Sequence, residues 1–244
     1  MLSKNQLKLI TSLHQKKYRI RHGLFIAEGI KVINEFLNSS FKVVNLYCTE
    51  VIDDFKMYDS QQISEIELKK ISNLKTPNKV LGVFEIPKMT NIDNEGLILA
   101  LDGIKDPGNL GTIIRLCDWF GIEQVVCSKE TVDCYNAKVV QSTMGSLTRV
   151  SLVYADLLSY LKAAKVPVYG ALLEGENLYK STLKNDAILV IGNESNGISE
   201  EVSKLISHQI TIPRFGKLQQ AESLNAATAT AIILSEFKST AIEK

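Results

Sequence analysis

Continuous apolar runs are the feature of this sequence that most constrains its fold. They occur as LILALDGI, QVVCS, VPVYGALL, AILVIG and QITIP, with segments of helical pattern between them. A strand that is covered on both faces has such a run, whereas a strand with one wet face alternates apolar and polar residues. Strands alternating with helices predict an α/β domain with a parallel sheet that is covered on both faces.

The N-terminal part predicts a smaller α/β module. Leucine and isoleucine recur there at three-residue spacing, which predicts a helix before the cationic segment HQKKYRIRHG. LFIAEGIKVINEFLNSS then predicts a strand and a helix, FKVVNLYCTE a strand, ISEIELKKISNL a helix and KVLGVFEIP a closing strand. The polar segment Lys88–Gly96, with its Asn, Asp and Gly residues, is the best linker candidate. We therefore predict one domain at 1–90 and a second at 91–244.

Charge and cysteine content exclude several classes of protein. Lys and Arg total 28 against 27 Asp and Glu, so any basic surface for nucleic acid must be local. The four cysteines include no C-x-x-C pair, and the three histidines lie far apart, so neither a zinc site nor a disulfide framework is indicated. No segment has the pattern of a signal peptide or the roughly 20 apolar residues of a membrane span. We expect a cytoplasmic protein with reduced thiols, no metal and no membrane partner.

Three polar loops follow predicted strands, where open parallel sheets bind their ligands. The first, IKDPGNLGTIIRLCDWFG, has three glycines but neither G-x-G-x-x-G nor a P-loop, which disfavours phosphate cradling. Pro107 and Gly108 predict a turn, and Asn109 lies near a predicted helix N-cap. Arg115 interrupts an apolar segment, so it is either paired with Asp118 at i+3 or used in function.

The second and third loops are also too polar for simple connectors. In IGNESNGIS, Gly197 is predicted as a turn residue and Ser199 as an N-cap of a helix, which leaves Glu194 unexplained. In IPRFGKLQQAESLNAATATA, Ser223 is predicted as an N-cap and Asn225 as part of the first helical turn. The small residues that follow are consistent either with a tight helix contact or with ordinary core packing.

Together the three loops resemble the three motifs of the SpoU/TrmH family of RNA ribose 2′-O-methyltransferases, in the SPOUT superfamily. DPGNLGTIIR, LVIGNESNGIS and IPRFGKLQQAESLNAATATAI match in order, between about Leu97 and Phe237. The resemblance implies a SPOUT-type parallel sheet with a C-terminal trefoil knot, S-adenosylmethionine as cofactor, and a homodimer with active sites at its two-fold interface. By position, it implies catalytic-site residues at Asn109, Arg115, Glu194, Ser223 and Asn225. It implies cofactor contacts at Gly192, Asn193, Ile212, Pro213, Leu224 and Ala226.

The roles of these residues follow from the resemblance and from their chemistry. Family proposals make Arg115 the base, but a guanidinium group is a very weak acid and keeps its proton at ordinary pH. A second role is therefore open, in which Arg115 grips the phosphate or ribose and stabilises the developing alkoxide. Asn109 would orient Arg115 or the ribose, and Glu194 and Asn225 would fix the loops or the arginine. The segment RFGKLQQAE is longer than in many relatives, which leaves the cofactor contacts in that loop open.

The N-terminal module resembles the family's substrate-binding domain through KKYRIRHGLFIAEGIKVINEF. Such domains are similar to kink-turn-binding ribosomal proteins. The resemblance implies a cationic patch for RNA phosphates at Lys16, Lys17, Arg19, Arg21 and His22; the alternative is a solvated charged helix end.

The two-domain layout favours ribosomal RNA over transfer RNA as substrate, with a transfer RNA methyltransferase as the alternative. A methylation-inactive RNA-binding protein on the same scaffold is the rival from another class. The missing glycine fingerprints disfavour a dehydrogenase or an NTPase. The sequence does not determine which RNA or which nucleotide is methylated.

Overall fold

The computed structural model describes residues 1–88, 92, 95–218, 220 and 222–242, and it divides into two compact units. The first unit is Met1–Met89 with Asp133–Thr148, and the second is Thr90–Val132 with Arg149–Lys244. Most of the predicted linker Lys88–Gly96 (89–91 and 93–94) lies outside the described residues. The units differ from the predicted ranges 1–90 and 91–244 in the segment Asp133–Thr148.

The first unit contains a four-stranded sheet built from the N-terminal part of the chain. Its elements are α1 (Lys4–Ser12), α2 (Lys16–His22), β1 (Leu24–Glu28), α3 (Ile30–Leu37), β2 (Val43–Cys48), β3 (Ser60–Gln62), α4 (Glu65–Ile71) and β4 (Val80–Glu85). The strand order is β1-β4-β2-β3, in which β1 and β2 pair antiparallel with β4 and β3 pairs parallel with β2. Capping boxes at Ser3 and Ser64 begin α1 and α4. The short strand β3, Ser-Gln-Gln, carries no apolar pattern and was not predicted.

The second unit contains a six-stranded sheet. The α-helices and strands that follow β4 are β5 (Leu97–Asp102), α5 (Pro107–Trp119), β6 (Gln124–Ser128), α6 (Ala137–Thr143), β7 (Ser151–Ala155), α7 (Leu157–Ala163), β8 (Val168–Asn177), β9 (Ala187–Gly192), α8 (Glu200–Ser203), β10 (His208–Thr211) and α9 (Ala226–Ile242). Of these, α6 belongs to the first unit and the others to the second. The strand order is β10-β8-β9-β5-β6-β7, and each pairing is parallel, which confirms the predicted parallel sheet. The edge strand β7 was not predicted, although residues 152–155 form a short apolar run; most of its side chains are only half-buried.

Burial on both faces explains the continuous apolar runs. Ile98 and Ala100 of β5 belong to a core with Leu157 and Leu161 of α7. Successive side chains of a strand point to opposite faces of its sheet. The alternate residue Leu99 is fully buried as well, so β5 is covered on both sides.

The segment Asp133–Thr148 completes the core of the first unit. Helix α6 packs on β1, and the Tyr135 ring lies 4.8 Å from the Phe25 ring. Ala137 packs against a core that includes Ile10 and Leu13. This packing joins parts of the chain that are distant in sequence, so domain bounds drawn as continuous stretches of sequence do not reveal it.

Arg19 corrects one prediction, because it lies inside this unit and not on an exposed cationic patch. The residue is 2% exposed. Its guanidinium donates to the Asp133 carboxylate at 2.5 and 2.9 Å, and to the carbonyl oxygens of Leu13 and His14 at 2.9 and 3.1 Å. These bonds satisfy a buried charge, so the role of Arg19 is structural.

Asp133→Ala is expected to lower the free energy of unfolding by about 3–5 kcal/mol, because it leaves the Arg19 guanidinium buried and unpaired. Urea denaturation followed by circular dichroism measures the change. Lys204→Ala removes an exposed ion pair with Glu200 and is the control, which should change stability little. Equal stability of Asp133→Ala and wild type would contradict the structural role of the buried pair.

Candidate active site

The loop after β5 leads into α5, and Asp106 begins that helix. Its carboxylate accepts a hydrogen bond from the Asn109 amide N at 2.8 Å, and Pro107 occupies the first helical position. Asn109 therefore lies near the N-cap, as predicted, but the predicted turn at Pro107 and Gly108 is wrong, because both residues belong to the first turn of α5. The Asp-Pro pair in the sequence was the available signal. Since Asp106 caps the helix, the side chain of Asn109 is available for tertiary contacts.

Three of the predicted catalytic-site residues form one hydrogen-bond chain. Asn225 Nδ2 donates to Asn109 Oδ1 at 2.8 Å, and Asn109 Nδ2 donates to Glu194 Oε1 at 2.9 Å. The partners lie 116 and 85 positions apart in the sequence. The chain therefore joins the loops that follow β5, β9 and β10.

The carboxylate of Glu194 anchors this chain at the start of α5. Its two oxygens also accept the backbone amides of Lys105 and Asp106, each at 3.2 Å. Partial burial raises the pKa of Glu194, but the hydrogen bonds from Asn109 and these amides outweigh it and hold the pKa below its ordinary value. Glu194 is therefore ionised at neutral pH and acts as an acceptor that orients Asn109. The nearby helix N-terminus also favours its negative charge.

The loop after β9 is tightly turned and tied to the end of β5. Asn193 Nδ2 donates to the Gly103 carbonyl oxygen at 2.6 Å, and Asn193 exchanges backbone hydrogen bonds with Gly197 at 2.8 and 2.9 Å. Gly197 has a φ of 68°, in agreement with its predicted place in a turn. A Cβ on Gly192 would lie 2.2 Å from the carbonyl carbon of Gly197, so the close approach of the two backbones requires glycine.

Ser199 occupies the N-cap position of α8, but its hydroxyl makes no capping hydrogen bond. Its backbone amide donates to Asp102 Oδ2 at 2.8 Å instead. The helix itself spans Glu200–Ser203. The hydrogen bond from the Ser199 amide to Asp102 is therefore a second contact between the loop after β9 and the end of β5.

Asn225, and not Ser223, caps the final helix α9. Its Oδ1 accepts the amides of Ala227 and Thr228 at 2.9 and 3.3 Å. The predicted cap at Ser223 and the predicted place of Asn225 within the helix are wrong, because the helix begins at Ala226. Asn225 uses its oxygen for the cap and its nitrogen for Asn109, so one side chain serves both contacts.

A cavity of about 1570 Å³ is lined by residues 171–174 of β8, the ends of β9 and β10, the loops that follow β9 and β10, and part of α9. All six predicted cofactor contacts line it: Gly192, Asn193, Ile212, Pro213, Leu224 and Ala226. Glu194 and Ser223 line it too. Typical small-ligand sites have about 300–1,000 Å³. The cavity therefore has room for a ligand of cofactor size.

One wall of the cavity is formed where the pairing between β8 and β10 is interrupted. Gln209 of β10 pairs with Gly170, but the next residue, Ile210, pairs with Glu176. Residues 171–175 of β8 therefore have no partner in β10, and 171–174 line the cavity. Gln219 and Ala221 of the long loop lie outside the described residues.

Arg115 takes no part in the hydrogen-bond chain. Its side chain is exposed and makes no hydrogen bond or ion pair within the described ranges. The i+3 partner considered for it, Asp118, instead pairs with Arg149 at 2.9 Å. Six helical positions place Arg115 about 9 Å along the axis from Asn109 and about a third of a turn around it. It shares an exposed face of α5 with Thr112 and with Trp119, which is 84% exposed.

The other four residues of the predicted cationic patch, Lys16, Lys17, Arg21 and His22, are exposed on α2. Sequence reasoning missed Tyr18, whose ring lies 4.8 Å from Lys17 Nζ and 6.4 Å from the His22 ring. An aromatic residue among cations was the available signal. The patch remains a prediction.

Within the part of the chain that the structure describes, no helix has the length and apolar character needed to cross a bilayer. The same residues contain no group of three or more His, Cys, Asp or Glu side chains that could hold a metal ion. The four cysteines are buried, and none of them forms a disulfide.

The fold and the site define an α/β protein with a ligand cavity beyond the carboxyl ends of a parallel sheet. Side chains from three loops meet beside that cavity in one hydrogen-bond chain.

The chain belongs to the SpoU rRNA Methylase family, which matches residues 96–235. Residues 4–82 match the MRM3-like substrate binding domain. The chain is 32% identical to the Bacillus subtilis 23S rRNA (guanosine(2553)-2′-O)-methyltransferase RlmP, over 95% of this chain and 96% of that protein.

Two solved structures are also similar. A TrmH-family protein from Porphyromonas gingivalis has a TM-score of 0.87 and 40% identity, and the match covers 97% of this chain and 98% of the other. The AdoMet-bound rRNA methyltransferase from Sinorhizobium meliloti has a TM-score of 0.87 and 29% identity, over 98% of this chain and 96% of the other.

Proposed function

We propose that this protein transfers a methyl group from S-adenosylmethionine to a ribose 2′-hydroxyl of RNA, and that its substrate is ribosomal RNA. The observation that carries the proposal is the hydrogen-bond chain of Asn225, Asn109 and Glu194, which joins the three family motif loops beside the cavity. Family membership and the named activity of the Bacillus subtilis relative, a 23S rRNA 2′-O-methyltransferase, agree with it.

The cavity suits S-adenosylmethionine in size and in lining. Its wall combines aliphatic side chains, such as Ile191 and Ile198, with the polar loop after β9. Gly192 contributes no side chain there, so backbone groups form that part of the wall. When bound, the cofactor supplies the methyl group, carried on a sulfonium. The AdoMet-bound relative from Sinorhizobium meliloti supports this choice of cofactor.

The residues of this chain position the ribose and stabilise charge. The ribose hydroxyl would release its proton to solvent as its oxygen takes the methyl group and the methyl–sulfur bond breaks to leave a neutral thioether, and correct positioning supplies much of the acceleration. The Arg115 guanidinium binds the phosphate or ribose of the nucleotide, and its positive charge stabilises the developing alkoxide. Asn109 orients the ribose, while Glu194 and Asn225 hold Asn109 in place. Ser223 lines the cavity as well.

We also propose that the protein forms a homodimer whose interface covers the exposed face of α5. Trp119 is 84% exposed on that face, and Arg115 lies beside it without a protein partner among the described residues. A second copy on this face would bury Trp119 and bring Arg115 to a shared site. Sedimentation equilibrium tests this assembly; a monomer at concentrations where the enzyme is active would contradict it.

We further propose that the C-terminal part of the chain forms a trefoil knot. β10 lies at the edge of the sheet, yet α9 packs against α5 and against β9, two strands further in. The chain after β10 must therefore return across the ends of the strands, where the loop after β9 lies. This path supports a C-terminal segment that threads through the loops.

Two measurements test the function. Ribose methylation is mapped in RNA from cells with and without the gene, and one modified nucleotide in ribosomal RNA should disappear with the gene. Isothermal titration with S-adenosylmethionine, NAD and ATP should show binding of S-adenosylmethionine alone. An unchanged methylation map together with RNA binding would identify a methylation-inactive RNA-binding protein. Loss of a modification from transfer RNA would instead establish the alternative substrate.

Neutralising Lys16, Lys17 and Arg21 to Gln is expected to weaken RNA binding and to reduce the slope of log K against log salt by about one for each phosphate that is no longer neutralised. Arg19 is left intact, because its substitution would disturb the core. The control replaces Lys4, Lys8 and Lys56, three exposed lysines of the same unit, with Gln. Equal RNA affinity of both triple variants and wild type would show that the α2 cations are only a solvated surface.

A further inference from the structure

Exposed apolar side chains gather at the cavity from three segments of the chain. They are Leu173 (63% exposed), Tyr179 (48%), Phe215 (83%), Leu218 (81%) and Leu224 (49%). All except Tyr179 line the cavity, and Tyr179 joins the group through Phe215. Single exposed apolar residues need no explanation, but a cluster beside a cavity is typical of an interaction site.

Two aromatic rings form the most defined part of this cluster. The ring centroids of Tyr179 and Phe215 lie 6.4 Å apart, with 34° between the ring planes. The contact covers little of Phe215, since the residue is still 83% exposed. Most of its ring surface is therefore available to a planar ligand.

Both rings are carried by anchored backbone. The amide of Tyr179 donates to Asn177 Oδ1 at 3.0 Å, and the preceding Leu178 is fully buried. The loop that bears Phe215 is tied across its base by Arg214, whose Nη2 donates to the Glu222 carbonyl oxygen at 2.7 Å. These contacts fix the backbone beside Tyr179 and join the two ends of the loop that bears Phe215.

The charges around the rings favour stacking as the mode of recognition. Lys180, Arg214 and Lys217 lie beside the rings in sequence, while the carboxylates of Glu174 and Glu222 belong to residues that line the same cavity. A surface that carries both positive and negative side chains does not by itself attract a polyanion. A nucleobase, in contrast, stacks on any exposed aromatic face, and neighbouring cations can receive the adjoining phosphates.

We propose that Tyr179 and Phe215 form a stacking platform for a base of the RNA substrate, next to the nucleotide that is methylated. The inference rests on the proposed RNA methyltransferase function and adds to it a recognition element outside the three hydrogen-bonded residues. The occupant is a base of RNA and not the adenine of the cofactor, because Phe215 lies on the solvent side, whereas Gly192 and Ile212 are part-buried.

The test compares Phe215→Ala, Phe215→Leu, Phe215→Trp and Tyr179→Ala, with RNA from cells that lack the gene as the methylation substrate. The alanine variants and Phe215→Leu should raise the KM for RNA about 5- to 100-fold, the range expected for one stacked base, while kcat changes little. Phe215→Trp should keep a KM near wild type because it keeps a π-face. The Kd for S-adenosylmethionine, from isothermal titration, should stay unchanged in all four variants.

One control variant is matched to Phe215→Ala by exposure, and three results would each contradict one of the two proposals. Met57→Ala removes an equally exposed apolar side chain (84%) from the first unit and should leave KM unchanged. Unaltered KM in Phe215→Ala and Tyr179→Ala would overturn the platform. Weaker S-adenosylmethionine binding by Phe215→Ala would assign the ring to the cofactor and overturn it too. Absence of methylation by the wild type would instead refute the proposed function, so the two failures are distinguishable.

Discussion

Arg115→Ala is expected to lower the rate of RNA methylation by about 100- to 1,000-fold or more, the effect of removing one group that stabilises developing negative charge. The Kd for S-adenosylmethionine should stay near wild type, because Arg115 does not line the cavity. Thermal stability should be unchanged as well, since the exposed side chain makes no hydrogen bond or ion pair with the described residues. Methyl transfer from labelled cofactor to RNA measures the rate.

Two further substitutions sharpen this result. Arg149→Ala removes another arginine of the second unit, which pairs with Asp118, and should retain activity. Arg115→Lys keeps the charge but not the planar fork of donors, so partial activity would indicate that charge alone suffices. A fully active Arg115→Ala protein would end the assignment of Arg115 as an essential group.

Gly192→Ala is expected to remove cofactor binding and to lower activity at least about 100-fold, the cost of a displacement of about 1 Å at an active site. The new Cβ would lie 2.2 Å from the Gly197 carbonyl carbon and from the Ile198 amide N, both of which are backbone atoms. The loop after β9 must therefore move, and with it Glu194 and the cavity wall. Isothermal titration with S-adenosylmethionine measures the loss.

Gly216→Ala is the matched control for this substitution. Gly216 also lies in a loop of the second unit, but a Cβ there would meet no atom within 4 Å. Its affinity for S-adenosylmethionine should stay near wild type. Wild-type affinity in Gly192→Ala would show that the two backbones can separate without disturbing the cavity. Arg115→Ala and Gly192→Ala thus separate two functions: the first affects chemistry with the cofactor bound, and the second prevents the cofactor from binding.

Local patterns in the sequence predicted most of the secondary structure. The apolar runs gave β5, β6, β8, β9 and β10 because strands covered on both faces tolerate few polar residues. The two missed strands differ: β3 is a polar pairing strand without a hydrophobic pattern, whereas β7 has a short apolar run at residues 152–155 but is half-buried at the edge of the sheet. Helix starts were less accurate: Asp106 and Asn225 are the caps, because the cap is decided by which side chain reaches the free amides.

The candidate site was predictable only as a set of loops. The order of the three motifs placed Asn109, Glu194 and Asn225 at one edge of the sheet, but their mutual hydrogen bonds depend on side-chain geometry. The same limit applies to Asp118, which lies three positions from Arg115 yet pairs with Arg149. Proximity along a helix permits an ion pair, but a better-placed partner from another element prevails.

The sequence by itself determined the α/β class, the parallel sheet, the family and the glycine turn at Gly197, because these depend on residue type and local spacing. Only the tertiary structure decided that Arg19 is buried against Asp133, 114 positions away, and that the segment Asp133–Thr148 belongs to the first unit. It also showed that Arg115 lies apart from the Asn109 chain. The physical reason is that burial and hydrogen-bond partners depend on which distant elements pack together, and no local pattern in the chain records that packing.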